Sequence, residues 1–136
     1  MKDWFLPASL ALLAWILWAF LPKLAARHIG PQSAMIYQVL GGLIIGMGVL
    51  INLKFKVEFN IPGFSYGLAI GLLGFFGALM YLVAVSKGPL ALVAPITALY
   101  PVGAIILGLI FLGEAITAKQ GLGIGLSLVA IYLIST

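Results

Sequence analysis

From Gly88 to Gly113 the chain carries no charged residue, yet this apolar run holds two interior prolines, Pro95 and Pro101. About 20 apolar residues suffice to cross a bilayer core as a helix. Proline lacks an N–H and clashes with the carbonyl four residues back. The carbonyls of Ala91 and Thr97 are therefore expected to lose their helical partners. In hydrocarbon an unpaired carbonyl costs several kcal/mol, so such a helix persists where protein, water or a ligand satisfies the freed group. Pro101 lies near the middle of the run, at the depth where transporters place substrate on interrupted helices. A proline-kinked structural helix is the competing reading, because proline is common in membrane spans.

The rest of the chain has the same character. It is 64% hydrophobic and 7% charged over 136 residues, whereas soluble domains are about half apolar and a quarter charged. A water-soluble exterior is excluded. The net charge of +4 comes from basic residues scattered singly between apolar runs, which reads as anchoring at headgroup level and excludes a nucleic-acid patch. There is no cysteine, hence no disulfide, thiolate metal site or cysteine nucleophile.

The patterning predicts an all-α integral membrane protein of one domain, with five spans near residues 4–22, 34–53, 62–86, 89–112 and 118–134. The first run is too long for a signal peptide. Trp4 and Phe5 suit an interfacial aromatic belt. Trp15 and Trp18 share a face, and Trp15 is deep enough that its indole N–H requires a partner. Ser33 is the expected cap of the second helix. Gly42 and Gly46, Gly67, Gly71, Gly74 and Gly77, and Gly121 and Gly125 form small-residue stripes against which neighbouring helices are expected to press. Residues 52–60 alternate polar and apolar, predicting a short strand-like surface connection. Thr117 with Gln120 reads as a capping box for the last helix.

An odd number of spans places the termini on opposite sides. Lys2, Lys54, Lys56 and Lys119 then lie on one side and Lys23, Arg27 and Lys87 on the other. Orientation follows the Lys/Arg bias. A bias of four against three leaves open both a fixed topology and insertion both ways round.

No expected span contains an internal Asp, Glu, Lys or Arg, which argues against a carboxylate-coupled proton relay. Glu114 ends the fourth span and reads as a wet or capping interfacial charge, or else as an ion pair with Lys119 or a gate contact. His28 is isolated, so no metal site is expected. No serine has a histidine and an acid to activate it, and no cofactor motif is present. An enzyme is not expected. What remains is an aromatic and amide set at membrane depth: Trp15, Trp18, Tyr37, Gln38, Tyr81, Thr97 and Tyr100. Apolar walls with a few polar groups describe a small-molecule pathway, and plain helix packing is the alternative for each aromatic.

The segments Ala94-Pro-Ile-Thr-Ala-Leu-Tyr-Pro101, Leu112-Gly-Glu-Ala-Ile-Thr117, Gln120-Gly-Leu-Gly and Ala130-Ile-Tyr-Leu-Ile-Ser resemble the EamA-type domain of the drug/metabolite transporter superfamily. Trp15 to Ala25 resembles that domain's first helix. Members usually carry two such domains, ten spans in all, as inverted repeats around a central cavity. This chain resembles the short five-span branch of bacteria and archaea. The resemblance implies a subunit in a prokaryotic cell membrane that moves metabolites, amino acids or drugs as an antiparallel homodimer or with a second half-transporter chain. It places the family's motif residues at Pro95, Tyr100, Pro101 and Glu114. The lack of buried charge favours a neutral, zwitterionic or aromatic substrate. The rival reading is an accessory subunit that assembles with a membrane partner and moves nothing itself.

Overall fold

The computed structural model describes residues 3–135; Lys2, counted above among the charges, lies outside them. The helices are α1 (Phe5–Ala25), α2 (Pro31–Asn52), α3 (Ile61–Lys87), α4 (Leu90–Thr97), α5 (Tyr100–Phe111) and α6 (Ala118–Ser135). No strand occurs among the described residues. α1, α2, α3 and the combined stretch Leu90–Phe111 are each long and apolar enough to cross a membrane, and α6 is a shorter apolar helix. All five expected runs are helical, the fourth as two pieces.

Three local expectations are corrected. α1 does not stop at Pro22 but continues to Ala25 with Pro22 inside it. α2 starts at Pro31 with Gly30 as its N-cap, so Ser33 is an interior residue and not the cap. Proline is well suited to a first helical position, because its fixed φ matches the helix and its missing N–H is not needed there. The connection after α2 is a turn followed by irregular chain, not a strand. Lys54 N–H donates to the Ile51 carbonyl (2.9 Å) and Phe55 N–H to that of Leu50 (3.0 Å), the two bonds of a Schellman C-cap. Such a cap needs a left-handed residue, and here Lys54 (φ 52°) and Phe55 (φ 60°) both adopt that conformation without being glycine.

The helices pack as two compact units, one up to Lys87 and one from Gly88 onward. In the first, α3 packs against both α1 and α2. Its buried residues are Ala78, Tyr81, Leu82 and Val85, steps of three and four that define one helical face. Continued toward the start of α3, the same face carries Gly74, Gly71 and Gly67. There it is uncovered: a Cβ on any of these, or on Gly77, would meet nothing within 4 Å. Within the first unit no neighbour lies on this glycine stripe, because α1 and α2 cover only the later half of that face. Gly42 does meet a neighbour, its Cβ position lying 3.4 Å from the Phe75 ring, while Gly46 is open. In the second unit α4 packs against α6. Gly121 has Ile116 at 3.8 Å from its Cβ position and Gly125 is open. The expected capping box is present: Thr117 N–H donates to Gln120 Oε1 (2.8 Å) and Gln120 N–H to Thr117 Oγ1 (3.3 Å).

Candidate functional site

A cleft of about 320 Å³ opens in the first unit, lined by Trp18, Leu21, Pro22, Ala25, Ala34, Tyr37, Gln38 and Leu82. The second half of α1 and the first half of α2 form its sides. Trp18 sits two turns before the end of α1, about 10 Å along the axis, so the cleft reaches from that helix end toward the interior.

The wall on the α3 side is held by two hydrogen bonds. Tyr81 Oη donates to the Ala19 carbonyl at 2.8 Å, and Lys23 Nζ donates to the Val85 carbonyl at 2.8 Å. Pro22 removes the helical donor of the Trp18 carbonyl, four residues back, and not that of Ala19; the Tyr81 hydroxyl binds the carbonyl next to that gap. The Val85 carbonyl would look to residue 89 for its donor, and residue 89 is a proline. A lysine at a helix C-terminus also complements the dipole there. Both bonds join residues 62 apart in sequence. Moving one turn along α1, from Ala19 to Lys23, therefore moves one turn along α3, from Tyr81 to Val85. The two helices run parallel and in register. Tyr81 also stacks on Trp18, with ring centroids 5.3 Å apart and an interplanar angle of 23°, within the range favoured by aromatic pairs.

Of the expected pathway residues, Trp18, Tyr37 and Gln38 line the cleft, and Tyr81 is buried behind Trp18. Trp15 is 57% exposed one turn earlier, and the hydrogen bond expected of its indole is not made among the described residues. Thr97 and Tyr100 belong to the second unit, on either side of the interruption at Ala98–Leu99. The interruption is a tightened turn. Ala98 keeps φ −66° and ψ 0°, Leu99 N–H donates to Ile96 (3.3 Å), and Val102 N–H donates to Leu99 (3.0 Å). Pro101 occupies the first turn of α5 and removes the donor for Thr97's carbonyl. Pro95 breaks nothing, since α4 runs through it. The Thr97 hydroxyl turns back onto its own helix, 3.0 Å from the carbonyls of both Val93 and Ala94.

The profile of the EamA-like transporter family matches residues 4–136. The chain belongs to this family. An uncharacterized protein of Methanocaldococcus jannaschii is 28% identical over 94 residues, covering 69% of each chain. No solved structure is significantly similar. EamA-like proteins are transporters rather than enzymes, and the long apolar helices accord with a multi-pass membrane protein.

In this EamA-like chain Glu114 stands just beyond α5, at the Leu-Gly-Glu turn. Gly113 adopts φ +64°, a conformation that glycine reaches without steric cost. The turn folds Glu114 back over the helix end. Its N–H donates to the Gly108 carbonyl at 3.3 Å, and its Oε2 lies 2.9 Å from where a Cβ on buried Gly108 would be. The carboxylate is thus set against Gly108, and no ion pair with Lys119 forms among the described residues. Sequence reading missed Gly108, Pro22 and the bridging role of Lys23. The proline at position 89 was the available signal for the bridge, since it marks the Val85 carbonyl as one in need of another donor.

Proposed function

We propose that this chain is a transporter subunit moving small metabolites, amino acids or drug-like compounds, and that a second copy inserted the opposite way completes its cavity. The observation that carries the reading is the cleft itself. In an EamA-like chain, three polar or aromatic side chains selected from the sequence, Trp18, Tyr37 and Gln38, share one apolar opening. Apolar walls with few polar groups suit small ligands. The tightened turn at Ala98–Leu99 supplies a second element able to rearrange during alternating access. The nearly balanced Lys/Arg count supports insertion in both orientations.

Topology is the deciding experiment. Ser135→Cys places a single thiol in a chain without cysteine. Labelling of about half the copies by an impermeant maleimide on intact cells is expected if orientation follows the weak charge bias. Uniform labelling from one side would exclude a self-sufficient antiparallel pair. In that event the second reading, a subunit that assembles with a different membrane chain, takes precedence. The face at Gly67, Gly71 and Gly74, left open by the other helices of the first unit, favours it, because small residues admit close helix approach.

A further inference from the structure

We propose that the cleft takes a small, flat, uncharged ring compound bearing an amide-like edge, stacked on Trp18 and read by the Gln38 amide. The assignment rests on the reading of this cleft as the substrate site of the transporter. Four observations converge on it.

The first is a fixed platform. Tyr81 covers one side of the indole, is only 6% exposed, and is tied through its hydroxyl to Ala19. The Lys23–Val85 bond holds the same two helices one turn further on. The second is available surface. Trp18 remains 39% exposed and lines the cleft, and aromatic surfaces favour offset stacking on another ring. The third is charge. No lining residue is charged, so a free carboxylate would enter with no counter-ion on the walls, at a large desolvation cost. Gln38 presents a carbonyl acceptor and an NH₂ donor side by side, which matches an amide or lactam edge. The fourth is size. This chain's share of the cavity, about 320 Å³, has room for one or two rings beside Trp18. Tyr81 is a positioning residue in this scheme, acting through Trp18.

The test uses full-length protein in lipid nanodiscs, with Trp4→Phe and Trp15→Phe leaving Trp18 as its single tryptophan. Benzamide is expected to quench Trp18 emission saturably. Cyclohexanecarboxamide keeps the amide but lacks the flat ring, and should bind about five- to tenfold more weakly. Gln38→Leu should weaken benzamide about tenfold. Tyr81→Phe keeps the ring and frees Ala19; it should weaken benzamide about threefold and lower the emission anisotropy of Trp18, whereas a purely structural tyrosine would change the melting temperature alone. Equal affinity for cyclohexanecarboxamide, indifference to Gln38→Leu, tighter binding of benzylammonium, or absence of saturable quenching would each overturn the assignment. Uptake of a metabolite panel into proteoliposomes separates the two readings. Transport without any benzamide response sinks the ligand assignment alone, and saturable benzamide binding without transport of any solute sinks the transporter reading alone.

Discussion

Gly113 and Lys54 carry opposite lessons about backbone strain. Gly113 is at φ +64°, where a side chain costs about 1–2 kcal/mol. Gly113→Ala is expected to destabilise the protein by that amount in a denaturant or thermal titration. Gly108→Ala is expected to be nearly neutral. Its methyl would meet the far end of the Glu114 side chain, which can swing away, and alanine adds about 1 kcal/mol of helix preference over glycine. Near-neutral stability together with a displaced Glu114 would confirm that the carboxylate, not the backbone, yields. At Lys54 the direction reverses. A lysine held at φ 52° is strained in the folded state, so Lys54→Gly should raise stability by up to about 1 kcal/mol after allowing for glycine's greater freedom when unfolded. Neither strained site could be read from composition. Lys54 belongs to an alternating segment that looks like a strand, and only the Schellman bonds show otherwise. The absence of a partner strand explains the difference, since an extended segment gains little without a ladder.

At the scale of helices, the boundaries legible in the sequence were those set by local chemistry. The Thr117–Gln120 box formed where its spacing placed it. Ser33 lost to Gly30–Pro31 because the proline two residues upstream already starts the first turn. The expected first span ended at Pro22, which proved to be an interior residue. The candidate cleft was legible to the extent that polar and aromatic side chains in apolar helices stand out, hence Trp18, Tyr37 and Gln38 among its lining. Periodicity identified the face of α3 but not how far its neighbours cover it. Pairings across helices, such as Lys23 with Val85, depend on a register that no single helix encodes. That register is testable. Lys23→Met removes a charged donor from a carbonyl and should cost about 1.5–3 kcal/mol, and Tyr81→Phe should cost about 0.5–1.5 kcal/mol. Because both bonds clamp the same parallel pair, the double variant should depart from additivity by at least about 0.5 kcal/mol. Strict additivity would show that the two bonds act independently. Pro101→Ala returns an N–H to the Thr97 carbonyl, and slower amide exchange around Ala98–Leu99 is the expected readout.

For the molecule as a whole, the small buried set, Ala78, Tyr81, Leu82 and Val85, means that one chain conceals little of its apolar surface from its surroundings. Lipid, or a second chain, is the natural cover for such an exterior. The parallel clasp between α1 and α3 also bears on how the protein is made. Its bonds span 62 residues, so α1 and α2 are synthesised before Tyr81 and Val85 exist. The turn of α1 around Pro22 has to wait for them. A nascent chain arrested before residue 81 should therefore hold α1 loosely, and one arrested after α3 has emerged should lock it. Cross-linking between positions near Ala19 and Tyr81 as the arrest point is moved would show assembly as a single late step, timed by the arrival of the third helix.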